Sequence, residues 1–168
     1  MKKARAFTLI EILIVVVLLG VLAAIVIPAV AGSSAAAKSS ALAQELSLIR
    51  RFALIYKAQH LEVSPGYPGG DTTAAPTEQA FIDQATKSSN TDGETVDVST
   101  AGYNRGPYLG KIPVNPFNGK SSVLMLSDGE DFPASPNDEN GWIYKAATSE
   151  VRAGNTGTDG NGKSFYEY

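Results

Sequence analysis

The sequence predicts an α+β fold: one long N-terminal α-helix, and a small C-terminal antiparallel β-sheet packed on the second half of that helix. Three observations carry this. From Ile12 to Ile27 every residue is apolar or glycine, and no strong helix breaker follows between Ala29 and Leu61. Apolar residues then recur at three- and four-residue spacing, the period of one helical face. The last third of the chain instead holds short β-prone runs separated by Gly, Pro, Asn and Asp.

The chain has 168 residues, so one modest domain remains beyond the apolar segment. Of a net charge of −3, three positive charges (Lys2, Lys3, Arg5) sit in the first five residues, leaving −6 for the rest. An acidic remainder is a poor electrostatic match to DNA, and no nucleic-acid partner is expected. Cysteine is absent, which removes disulfides, thiolate metal sites and a thiol nucleophile together. The one histidine, His60, ends a helical pattern and reads as a solvated residue.

The stretch from Phe7 to Ala31 is long enough as a helix to cross a hydrocarbon core of ~30 Å. The basic residues before it predict a cytoplasmic N-terminus, with everything after about Gly32 outside. Glu11 is the anomaly. A carboxylate placed in such a segment costs roughly 2.5–3.5 kcal/mol on insertion scales. An ordinary secretory signal, cleaved at the A-x-A site ending in Ala31, would release a soluble binding domain from Gly32, but its apolar region has no use for an acid. A plain signal anchor leaves Glu11 unexplained too, unless the acid snorkels to the cytoplasmic interface.

Processing before the apolar run accounts for it. The residues Arg5-Ala6-Phe7-Thr8-Leu9-Ile10-Glu11 resemble the start of type IV prepilins and type II secretion pseudopilins. The resemblance implies a pilin-like fold and a leader of residues 1–6. A prepilin peptidase/methyltransferase would cut between Ala6 and Phe7 and methylate the new amine of Phe7. Ala6 stands where the family usually has Gly. The mature chain would sit in the bacterial inner membrane as a single-pass protein, its globular domain periplasmic. It would then assemble with other copies into a helical fibre, alongside minor pseudopilins and the inner-membrane secretion machinery. Glu11 would pair with the Phe7 amine of a neighbouring subunit and set the register. In a low-dielectric bundle that pairing offsets the burial of both charges. Pro28 lacks an amide hydrogen and predicts a kink or local melting, in a segment that the family also uses for assembly.

Four segments follow from this: leader 1–6, membrane and assembly helix 7–31, amphipathic helix 32–61 and globular domain 62–168. In the amphipathic part Leu42, Leu46, Ile49, Ala53 and Tyr56 form the inward stripe, with Arg50 and Arg51 largely off it. Pro and Gly between Ser64 and Pro76 end the helix. A short helix with Thr77 as N-cap is predicted over 77–90, then a turn-rich loop over 91–102. Pro107-Tyr108-Leu109, Ile112-Pro113 and Asn115-Pro116-Phe117 lie in an extended tract pegged by Tyr108, Leu109, Ile112, Val114 and Phe117. That order of motifs resembles major, G-type pseudopilins, which favours a secretion pseudopilus over a surface type IV pilus. Strands are predicted over 122–127, 141–145 and 150–153, the last two as a hairpin.

Enzymatic chemistry finds no support in this pattern. The carboxylates Asp128, Glu130, Asp131, Asp138 and Glu139 sit in one turn-rich loop, and no P-loop, GxSxG or HExxH motif occurs. Calcium takes six to eight oxygen ligands from such loops. The resemblance to G-type pseudopilins implies calcium near the C-terminus, and Asp131, Asp159 and Asn161 are the candidates, against the plainer reading of solvated turns.

Overall fold

The computed structural model describes residues 8–97 and 100–168, the side chains of 28–33 excepted. Helix α1 spans Leu9–Gln59. It continues through Gly20 and Pro28 without a break, since a proline in a long helix bends more readily than it interrupts. The chain divides into two compact units, Met1–Ala37 and Lys38–Tyr168. In the first, the large apolar side chains from Leu9 to Ile27 keep 49–84% of their surface exposed. Leu9–Ile27 is long and apolar enough to cross a membrane.

In the second unit α1 has a sharply divided surface. Leu42, Leu46, Ile49, Ala53 and Tyr56 are buried, and Phe52 joins them. Phe52 meets the ring of Phe81 edge-on at 5.3 Å. Where α1 ends, Leu61 and Glu62 both take positive φ, and the Glu62 amide donates back to the Lys57 carbonyl. This reversal satisfies a terminal carbonyl and turns the chain off the helix.

Helix α2 covers Glu78–Thr86, with the Thr77 hydroxyl accepting from the Ala80 amide as N-cap. It is shorter than the predicted segment. Strand β1 (Ser88–Ser89) takes over the residues beyond it and pairs with β2 (Thr95–Val96) inside the stretch predicted as loop. The tract over 107–120 holds neither helix nor strand, as its prolines dictate, with a bend at 110–111 and a turn at 116–118. Leu109 and Ile112 peg it into the core, whereas Val114 is exposed and the buried residue is its neighbour Asn115.

Strands β3 (Val123–Leu126), β4 (Trp142–Lys145) and β5 (Glu150–Ala153) form a sheet in the order β3-β4-β5. The β4–β5 hairpin is antiparallel as predicted, with Trp142 opposite Ala153. The expected all-antiparallel sheet is corrected to a mixed one, because β3 and β4 run parallel with Val123 opposite Trp142. A parallel pair needs a crossover of a dozen or more residues, and residues 127–141 supply it. Side chains alternate between faces in either direction, so apolar alternation could not distinguish the two. The indole of Trp142 donates to the Pro113 carbonyl at 2.9 Å, tying β4 to the 107–120 tract. Ile143, on the opposite face, joins Leu126, Tyr166 and Phe132 in a second small core.

Candidate functional site: the start of the long helix

Two residues define the described end of α1. The backbone amide and the hydroxyl of Thr8 both donate to Glu11 Oε2 at 2.8 Å. The Glu11 amide donates in turn to Thr8 Oγ1 at 3.3 Å. The Thr-Leu-Ile-Glu sequence thereby forms a reciprocal capping box, which satisfies two of the helix's otherwise orphaned amides. The negative carboxylate also sits at the positive end of the helix dipole. Glu11 therefore has a partner within its own chain, a role that the Thr-x-x-Glu spacing carried and that the emphasis on a partner subunit overlooked. Ala6 and Phe7, the predicted cleavage and methylation positions, lie outside the described residues, as does the side chain of Pro28. Beyond the cap, Leu9, Ile12, Leu13 and Val16 present a continuous apolar surface.

The calcium candidates are not brought together in this way. Asp159 Oδ1 accepts from the amides of Asn161 and Lys163, and Oδ2 accepts from the Tyr168 hydroxyl. The Tyr168 hydroxyl and these amides hold the Asp159 carboxyl below its usual range. Asp131 is exposed in a different loop. Among the described residues, no group of three or more His, Asp or Glu side chains is placed to hold a metal ion. As arranged, Asp159 works as a turn-forming acceptor.

His60 also departs from expectation, being 1% exposed. Its ring stacks on Tyr56 at 3.7 Å. Its Nδ1–H donates to the Tyr56 carbonyl at 2.7 Å, and Nε2 accepts from Ser89 Oγ at 2.9 Å. The helical spacing of 56 and 60 predicts the contact between these two side chains; the depth comes from the β1 segment closing over them. Burial pushes the imidazole pKa down, so the ring is a neutral bridge between α1 and β1. Serine and histidine are adjacent here, but both are sealed from solvent and no substrate reaches them.

Residues 1–27 match the family described as Prokaryotic N-terminal methylation motif. The chain is 29% identical over 130 residues to Type II secretion system core protein G of Klebsiella pneumoniae, covering 77% of this chain and 79% of that protein. No solved structure matches the chain significantly.

Proposed function

We propose that this chain, a member of the pilin-like, G-type pseudopilin family, is the structural subunit of a type II secretion pseudopilus. Its work is mechanical. Subunits held in the inner membrane by α1 leave it and stack into a periplasmic fibre, whose growth drives protein export. The observation that carries the reading is the joint occurrence of a short basic leader, a methylation motif over residues 1–27 and a single carboxylate in the apolar helix. The similarity to a core protein G over most of the chain supports the secretion branch.

In this reading a prepilin peptidase cuts between Ala6 and Phe7 and the amine of Phe7 is methylated. The cap at Glu11 keeps the carboxylate hydrogen-bonded while the subunit is alone in the bilayer. In the fibre the Phe7 amine of a neighbour adds an opposite charge, which penalises subunits docked out of step. Three measurements test this. Mass spectrometry of the mature chain should find methylated Phe7 at the N-terminus. A start at Gly32 would instead establish a released soluble domain. Ala6→Leu should leave the precursor uncut, while Ala6→Gly should be processed at least as fast as the parent. Glu11→Val should insert in the membrane normally and make no fibres; normal fibres from this variant would remove the registration role.

A further inference from the structure

Arg50 and Arg51 are neighbours with opposite fates. Arg50 Nη2 donates to the Val151 carbonyl at 3.2 Å and stitches α1 to β5. Arg51 points away from the core and has no ion pair or hydrogen bond among the described residues. Around it on α1 stand Leu48, Leu54, Ile55 and Ala58, all exposed; Leu54 keeps 68% of its surface. Their spacing puts them on one face, opposite the buried stripe. A set of large apolar side chains beside an unpartnered guanidinium is the composition of a docking face.

The charge of the second unit is split in a way that selects the occupant. From Lys38 to His60 the helix has four cations against Glu45 alone, net +3. From Leu61 to Tyr168 there are seven cations against fifteen carboxylates, net −8. The densest free negative charge is the turn after β3, where Asp128, Glu130 and Asp131 fall within four residues, all exposed. Asp128 accepts from the Tyr67 hydroxyl and Glu130 from the Ser127 amide. None of the three is in a salt bridge, and the ion pairs among the described residues are Lys87–Asp83 and Arg152–Glu150. Covering the α1 face would desolvate Arg51, and a partner bringing a carboxylate offsets that most strongly. A second copy of this chain presents such a surface.

We infer that this α1 face, centred on Arg51 and flanked by Leu48, Leu54 and Ile55, is covered in the fibre by the acidic 128–131 turn of another copy. The inference rests on the assembly reading and adds the surface that turns stacking into a specific contact. Electrostatic complementarity of this kind fixes register and excludes wrong orientations.

The test uses the full chain, overexpressed with its assembly machinery. Because the chain has no cysteine, single introduced thiols report contacts without background. Co-expressed copies carrying Leu48→Cys and Asp131→Cys should form a disulfide-linked dimer on oxidation, and the dimer should vanish when both copies also carry Glu11→Val. Arg51→Glu should reduce fibres at least tenfold at unchanged membrane level, Arg51→Lys should retain them, and Arg51→Glu with Asp131→Lys should recover a substantial part. Fibres from the parent together with normal fibres from Arg51→Glu, or with no cross-linked dimer, would overturn this inference alone. No fibres from the parent would overturn the assembly reading and this inference with it.

Discussion

Thr8 and Glu11 show how two side chains can close the end of a helix. The carboxylate accepts from both the amide and the hydroxyl of Thr8, so removing the hydroxyl breaks the reciprocal half of the cap. Thr8→Ala should cost about 1 kcal/mol at the helix terminus. In detergent-solubilised protein this appears as faster amide exchange at Glu11 and Ile12, and Thr8→Ser should leave it unchanged. His60 makes a second residue-scale prediction. Its folded pKa is depressed, chiefly by burial, with the Arg105 charge acting in the same direction. An unfolded histidine titrates near 6.5, so the unfolded chain takes up a proton first as pH falls. The stability that neutral His60 contributes is complete above about pH 6.5 and is lost as pH drops through the lower folded pKa. The melting temperature should therefore fall between pH 7 and pH 5, and His60→Gln should flatten that part of the curve. Glu11 could be singled out from the sequence because a charge in an apolar run has few explanations. His60 could not, because nothing local to residue 60 announces that Ser89, distant in the chain, will close over it.

At the scale of elements, periodicity was informative and pairing was not. The inward stripe of α1, the Thr77 cap and the β4–β5 hairpin are local patterns, and each is present. The direction of β3 depends on the path of residues 127–141, which have no pattern of their own. The 107–120 tract was legible as prolines and pegs, but its strongest anchor is polar. Asn115 is fully buried. Its side-chain amide donates to the Gly141 carbonyl at 3.0 Å and to Asn155 Oδ1 at 2.7 Å, and its own Oδ1 accepts from the Phe117 amide at 3.0 Å. One side chain thus joins the tract, the entry to β4 and the segment after β5. Asn115→Ala leaves buried groups without partners and should destabilise the protein by about 2–4 kcal/mol, more than Val114→Ala, which removes an exposed methyl pair. Chemical denaturation of the two variants in parallel gives the comparison, and equal midpoints would deny Asn115 this role.

The whole molecule raises the question of how a domain with no cysteine holds together. One resource is aromatic packing around α1: Phe52, Tyr56, Phe81, Trp142 and Tyr144 are all buried in one cluster. Another is a set of polar ties that close the C-terminal loops on themselves. Asp138 accepts from the amide and hydroxyl of Thr156, linking the loop before β4 to the segment after β5. Asp159 gathers two amides and the Tyr168 hydroxyl, fastening the C-terminus. An ion drawn to Asp159 would compete with these donors, and it would stabilise the folded state by RT ln(1 + [L]/Kd), about 2.7 kcal/mol at a hundredfold excess over Kd. A carboxylate already saturated by its own turn gives a different result. Asp159→Ala should lower the melting temperature, and by the same amount in calcium as in chelator. The parent should melt alike in both. A calcium-dependent rise in the parent that Asp159→Ala abolishes would show that the turn opens to take up an ion, and that the hydrogen bonds seen here are its closed form.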